Sequence, residues 1–360
     1  MHKFILKRLF YGFLVMFGVI TVVFLLFNVL PGDPARMMLG QRADITSVEA
    51  INKDLGRDKP TIVQYFNYLN DLSPVSVHNI DDPKSYWYLD SNKYSSAVKL
   101  FDISKHSQMV LKLPYLRRSY QSKKKVSEII SEAFPNTFIL ATVAIGFALI
   151  LGIFIGVLCA VKKNSFFDKL SLVMSVFGMS LPSFFAAILA AWIFAYLLGS
   201  ITGLNMFGSL FNVDDFGNGE YLSLKNLILP AITLGIRPLA IVVELTRNSV
   251  LEVLSQDYIR TAKAKGLSNF KVITKHALKN AMNPVVTAIS GWFASLMAGA
   301  VFIEVVFNWR GIGMVIVESL EKYDFPVVMG AVLFVSVVLV FINIFVDIIY
   351  GYLDPRIKVQ

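Results

Sequence analysis

The chain has 360 residues, 55% of them hydrophobic and only 16% charged, with a net charge of +9 and a mean hydropathy of +0.60. A water-soluble domain carries about 25% charged residues, so the composition excludes an ordinary soluble enzyme and points to an integral membrane protein. The basic residues cluster beside apolar runs, which argues against nucleic acid as a partner, and the single cysteine, Cys159, excludes an intramolecular disulfide.

The first apolar run, Leu9–Leu30, follows Lys3, Lys7 and Arg8. It is too long for a signal-peptide core and no small-residue cleavage site precedes "LPGDPA", so it reads as a retained span. The connection from Pro31 to Pro135 is too long to be structureless in a compact protein. Its aromatic cluster "SYWYLD" and helical patterns near "SVEAINKDLG" and "VSEIISEAF" predict a small extracytoplasmic domain. Five further runs follow: Asn136–Val161, Leu170–Gly199, Leu224–Thr246, Val285–Val306 and Pro326–Tyr352. Each reaches the roughly 20 residues that a bilayer requires. Unsatisfied backbone groups in lipid cost several kcal/mol, so each run is expected to be a helix. The expected fold is all-α and integral to the membrane, with six transmembrane helices and a long extracytoplasmic loop domain between helices 1 and 2. The expected limits are 1–30 for the N-terminus and first helix, 31–135 for the loop domain, 136–352 for a five-helix core and 353–360 for the tail.

Loop charge sets the orientation. Lys162, Lys163 and Lys169 mark the second connection, Arg247 to Lys279 the fourth, and Arg356 and Lys358 the C-terminus. The third and fifth connections are acidic instead, with Asp214, Asp215 and Glu220, and with Glu318, Glu321 and Asp324. This alternation predicts six spans with both termini in the cytoplasm.

Motifs of catalysis are missing. The sequence has no G-x-x-x-x-G-K-[ST] phosphate loop, no H-E-x-x-H pair and no G-x-S-x-G elbow. His2, His78, His106 and His276 are scattered. The chain is therefore read as a non-enzyme that binds no metal or cofactor of its own.

One stretch in the fourth connection, "RTAKAKGLSNFKVITKHALKN" (Arg260–Asn280), is basic, rich in alanine and broken by Gly266. A glycine there supplies a left-handed helix stop, and Ser268 is placed to cap a second helix. Phe270, Ile273, Ala277 and Ala281 follow three- and four-residue steps and predict an apolar face, while Lys271, Lys275 and Lys279 form a basic stripe. A helix resting on anionic lipid is one reading. The small residues Ala262, Ala264 and Gly266 favour close approach of a protein partner.

"DYIRTAKAKGL…HALKNAMNPVV" resembles the cytoplasmic loop of permease subunits of binding-protein-dependent ABC importers, in the oligopeptide, dipeptide and nickel branch. "FNVLPGDPA", "LGRDKPTIVQYFNYL", "RRSYQSKKKVSEII", "SLPSFF", "FNWRGIGMVIVESLEKYDFPVV" and "VDIIYGYLDPRIK" extend the resemblance over nearly the whole chain. About forty residues near 72–113 have no counterpart and read as an insertion. The resemblance implies a translocation path for short peptides or similar small solutes. It implies a second homologous permease chain, two ATP-binding subunits that hold ATP and Mg, and an extracytoplasmic substrate-binding protein. It also implies that Arg260, Thr261, Ala262, Ala264, Gly266, Leu267, Phe270 and Ile273, within the loop 247–283, couple the chain to the ATPases.

Along the membrane, Pro182 is expected to bend the third span, either as a packing kink or as a gate at which Ser180 and Ser183 offer hydroxyls. Arg237 and Glu304 are charges within or near spans, where function and structural pairing compete. Gly152 and Gly156 form a G-x-x-x-G packing pair. Two other functions are weighed against the importer subunit: an ion-coupled secondary transporter, which calls for paired midplane charges and inverted repeats, and a membrane receptor with a docking loop.

Overall fold

The computed structural model describes residues 2–28, 59–82, 85–91, 93, 94, 96–213 and 219–353. "LPGDPA", "SVEAINKDLG", Asp214, Asp215 and the C-terminal tail beyond Leu353 lie outside the described residues.

The fold is mostly helical. Among the described residues, four helices are long and apolar enough to cross a membrane: those containing Leu6–Phe27, Val126–Val161, Lys225–Leu254 and Phe325–Ile348. Two bent pairs raise the count to six if each is one span. These are Phe166–Ser180 with Ser183–Leu197, bent by 108°, and Asn283–Met297 with Val301–Phe307, bent by 56°. The third run is therefore two helices joined at Leu181 and Pro182, not one kinked helix. Proline has no N–H to donate and disfavours a helical residue before it, and Leu181 accordingly adopts an extended φ/ψ of −69°/128°. The second span begins earlier than expected, at Val126, and runs through Pro135. "VSEIISEAF" is thus helical, as expected, and continuous with that helix.

The described residues divide into two compact units: Met1–Arg8, Ala133–Met314 and Val338–Gln360 in one, Leu9–Glu132 and Val315–Val337 in the other. In the first, Val126–Val161 packs on Lys225–Leu254 through its glycines. A Cβ on Gly152 would stand 2.6 Å from Val242 Cγ1, and one on Gly156 would stand 2.6 Å from Thr246 Cβ and 2.8 Å from the Val243 carbonyl. Only glycine permits that approach, so the G-x-x-x-G pair is a packing seam.

The second unit contains a sheet that an all-α reading does not anticipate. Strands β1 (Val75–Asn79), β2 (Val98–Ser104) and β3 (Ser107–Leu111) form an antiparallel sheet in the order β1-β3-β2, with Val77 opposite Met109 and Asp102 opposite Gln108. It occupies the stretch read as an insertion. A two-stranded hairpin, β4 (Phe211–Val213) with β5 (Glu220–Leu222), lies in the first unit. Beside the sheet, helix Thr61–Leu72 places Tyr65 and Tyr68 against Phe24, at ring-centroid distances of 5.0 and 5.7 Å.

Candidate functional site

The Lys225–Leu254 helix leads into a compact loop of two short helices. Asp257–Ala264 stops at Gly266, whose φ of +77° favours glycine. Leu267 N–H donates to the Ala262 carbonyl at 3.3 Å and Gly266 N–H to the Lys263 carbonyl at 2.9 Å. Those two bonds define a Schellman stop, and Leu267 packs back toward Ala262 as that motif requires. A Cβ on Gly266 would meet nothing within 4 Å, so backbone conformation rather than space makes the position glycine. Ser268 occupies the N-cap position of the next helix but makes no side-chain capping bond.

This second helix departs from the expected apolar face. Residues Val272–Ala277 form a π-helix, in which equivalent positions are five residues apart instead of three or four. Val272 therefore takes the inner position expected of Ile273. Val272 and Ala277 join Ile259 and Ala262 in a small core, Ile273 is half-buried, and Phe270 is left 76% exposed. Ala262 is consequently part of the loop's own packing and is not free for a partner. Arg260, Thr261, Ala264, Gly266 and Phe270 face outward, as do Lys271, Lys275 and Lys279. Asn280 Nδ2 donates to Tyr258 Oη at 3.0 Å and ties the two helices together.

An ion pair at the base of this loop is not foreseen from the sequence: Arg247 grips Asp168 with both arms, Nε to Oδ1 at 2.5 Å and Nη2 to Oδ2 at 2.8 Å. Asp168 is buried, and its Oδ2 also accepts from the Asn164 amide at 2.9 Å. A signal was present: Ser165-x-x-Asp168 before an apolar run is a capping-box pattern, and Ser165 Oγ does accept from the Asp168 amide. Asp347 pairs with Arg8 at 3.0 Å.

The residues expected along a path fall in different environments. Ser180 is exposed and donates back to the Val176 carbonyl at 2.8 Å. Pro182 stands at the break between the bent helices, and Ser183 opens the second of them, half-buried. Arg237 lies between Pro230 and Pro238 of its helix, and its Nε is buried without a hydrogen-bond partner among the described residues. Glu304 is fully buried and committed: it accepts from Thr137 Oγ1 at 2.7 Å and from the Met314 amide at 3.0 Å. A Cβ on Gly311 would stand 2.5 Å from its carboxyl carbon, and one on Gly313 would stand 2.8 Å from Oε2. The "NWRGIG" turn is thus wrapped around the Glu304 carboxylate. That makes Glu304 a structural acceptor in this turn.

A second polar centre lies in the sheet-bearing unit. Asp71, 1% exposed, accepts from Tyr94 Oη at 2.5 Å and Tyr86 Oη at 3.0 Å, and pairs with Lys93 at 3.2 Å. Lys112 Nζ donates to the Asp71 carbonyl at 2.6 Å, and burial lowers its pKa to about 8. His78 is enclosed between Ser76 Oγ at 2.9 Å and the Trp87 carbonyl at 3.1 Å. A carbonyl only accepts, so Nδ1 carries the hydrogen and Nε2 accepts from Ser76. Burial, reinforced by Lys112, lowers the His78 pKa to about 4. Among the described residues no group of three His, Cys, Asp or Glu side chains is placed to hold a metal.

Long apolar helices, two bent apolar pairs and a folded basic loop define a multi-pass helical membrane protein. Residues 152–359 match the family described as the binding-protein-dependent transport system inner membrane component, and residues 1–85 match its N-terminal element. The chain is 35% identical over 373 residues to a dipeptide transport system permease protein of Alkalihalophilus pseudofirmus, covering 99% of this chain and 100% of that protein. It is 33% identical over 380 residues to a di/tripeptide transport system permease protein of Pseudomonas aeruginosa, covering all of both. A glutathione transport system permease protein of Escherichia coli is 32% identical over 358 residues, covering 99% of each. Among solved structures, an inward-facing MetNI methionine ABC transporter aligns with TM-score 0.50 and 14% identity, over 63% of this chain and 97% of that one. That likeness concerns the fold alone. The chain belongs to the binding-protein-dependent transport system inner membrane component family, and it is a permease subunit of an ABC importer.

Proposed function

We propose that this permease carries short peptides or similar small solutes, and that it works with a second homologous permease chain, two ATP-binding subunits and an extracytoplasmic substrate-binding protein. The dipeptide and di/tripeptide permeases among its relatives support the cargo class. ATP and Mg belong to the ATP-binding subunits; this chain supplies the path and the lever. The polypeptide crosses the lipid six times, each bent pair counting as one span, with both termini and the loop 247–283 in the cytoplasm and the sheet-bearing loop outside.

The observation that carries the coupling reading is Phe270. The loop has its own apolar core, yet its largest apolar side chain stays 76% exposed beside exposed Thr261, Ala264 and Gly266. A folded loop with an unburied phenylalanine on a small-residue surface is built to dock. Arg260, Thr261, Ala264, Gly266 and Phe270 form the contact, with Leu267 and Ile273 beneath it. Arg237, whose buried Nε has no hydrogen-bond partner among the described residues, lines the path with Ser180, Pro182 and Ser183 and meets an anionic group of the cargo. The test is co-purification of the ATP-binding subunits with the Phe270→Asp and Gly266→Leu variants at matched membrane levels. Loss of the subunits supports the contact; unchanged recovery and uptake overturn it. Orientation is checked in a Cys159→Ser background: Ser85→Cys reacts with an impermeant thiol reagent on intact cells, and Ser268→Cys reacts only after permeabilisation.

A further inference from the structure

The polar centre around Asp71 borders a cavity of about 380 Å³. Its lining brings four cations, Lys93, Arg117, Arg118 and Lys123, against two carboxylates, Asp71 and Asp90. Lys93 is already matched, since its ammonium pairs with Asp71 and stands 4.5 Å from the centre of the Tyr86 ring. Arg117, Arg118 and Lys123 make no ion pair among the described residues, although Asp71 lies near enough to favour the charged form of Arg117. Arg117 rests over the Tyr68 ring at 5.2 Å and hydrogen-bonds to the Tyr86 hydroxyl, and Arg118 hydrogen-bonds to the Tyr115 hydroxyl while its Nη1 donates to the Lys123 carbonyl at 3.3 Å.

The backbone beneath these cations is held in an unusual shape. Arg117 has φ +69° and Lys123 has φ +59°, the left-handed region that non-glycine residues rarely adopt. Asp324 locks the turn between them, accepting from Ser119 Oγ at 2.5 Å and from the Tyr120 amide at 2.9 Å. Ser119 N–H also donates to the Lys124 carbonyl at 2.9 Å. Two left-handed residues, each bearing a cation on the cavity wall and over-determined by a buried carboxylate, mark a ligand clamp more than a chance loop.

We propose that this cavity binds the free carboxylate of a small peptide. A guanidinium offers a planar fork that matches a carboxylate, and two adjacent arginines with a lysine supply the charge. Tyr115 and Tyr120 add flat faces for the residue that bears the carboxylate. The volume sits near the lower end of the range for small-molecule pockets, about 300–1,000 Å³, which suits a ligand of dipeptide size and disfavours a large polyanion. The cavity lining belongs to the second compact unit, and Arg237 and the bent helices belong to the first. The identity of the ligand rests on the peptide reading above; the anion preference rests on the cavity alone.

The experiment uses the full-length chain in neutral-lipid nanodiscs and calorimetric titration with Ala-Phe, its C-terminal amide and inorganic phosphate. The expected result is binding of Ala-Phe, with the amide and phosphate each at least ten-fold weaker. Arg118→Gln and Lys123→Gln, whose side chains reach solvent, are each expected to weaken Ala-Phe at least five-fold with an unchanged melting temperature. Arg117→Gln is expected to weaken it more, and its melting curve reports whether the turn survives. Equal binding of the amide, phosphate binding as tightly as Ala-Phe, or no effect of the Arg118 and Lys123 variants would each overturn the proposal. Peptide uptake by the assembled importer separates the readings. Uptake that persists without cavity binding removes this site alone, and cavity binding without uptake removes the cargo reading alone.

Discussion

The loop of residues 255–281 and the segment 59–125 solve opposite problems. The loop is polar by composition but buries only apolar side chains, Ile259, Ala262, Val272 and Ala277, and leaves Phe270 outside. The sheet segment buries Asp71, Ser76, His78, Gln108 and Lys112 and exposes Val98, Leu100, Phe101 and Ile103 on β2. A core of hydrogen-bonded charges fixes one arrangement and is costly to break. A small apolar core stabilises two short helices and leaves their outer face free to change without cost to folding. Mutation and pH should therefore disturb the sheet segment through stability and the loop through partner binding.

The largest expected stability effect is Asp71→Ala, which strands the Lys93 ammonium and two phenols. Removing one partner of a buried pair costs about 3–5 kcal/mol. Hydrogen exchange should show that loss across β1–β3 and not in residues 257–281; a loss below about 1 kcal/mol would mean that the polar core is not the organising element. Acidification comes next. The folded pKa of His78, about 4, lies below the ordinary value of 6.5. Between those values the unfolded chain takes up a proton that the folded chain refuses, so stability is intact above pH 6.5 and falls as pH drops toward 4. The loss reaches roughly 3 kcal/mol at most. Exchange of the β1–β3 amides should accelerate over that window, and His78→Asn should flatten the response. Lys112, Asp71 and Lys93 are the charged neighbours that share it.

The third prediction sharpens the other side of the comparison. Phe270→Asp should move the unfolding free energy by less than about 0.5 kcal/mol, because the side chain is 76% exposed. It should still reduce ATPase co-purification at least ten-fold. The smallest effect belongs to Lys271→Gln and Lys275→Gln, both exposed, with uptake reduced less than two-fold. A loop that worked by lying on anionic lipid would reverse that order, since each lysine at such a surface contributes about 1 kcal/mol.

The sequence announced the spans because runs of apolar residues have one meaning in a bilayer. It announced Gly266 because a glycine after a basic helical stretch has few other uses. It concealed the sheet because β1 alternates in the wrong sense for a hydropathy pattern, with Ser76 and His78 inward and Val75 out, and β3 mixes Gln108 with Val110 on its inner face while Leu111 points out. The π-turn at Val272–Ala277 hid the true inner face, because a five-residue step looks like a slip in a four-residue pattern. The acceptor role of Glu304 stayed hidden because its partners, Thr137 and the Met314 amide, are distant in sequence or anonymous backbone. The same distance hid the Asp168–Arg247 pair, although its capping pattern was visible.

The central claim is that the outer face of the 255–281 loop touches an ATP-binding subunit, and site-directed cross-linking tests it most directly. In a Cys159→Ser background, Phe270→Cys and Ala277→Cys are placed in the assembled importer and treated with a short thiol-to-amine cross-linker. The account predicts a covalent product between the Phe270→Cys chain and an ATP-binding subunit, and none from Ala277→Cys, whose position is fully buried in the loop core. No product from Phe270→Cys in an importer that still hydrolyses ATP and transports would contradict it.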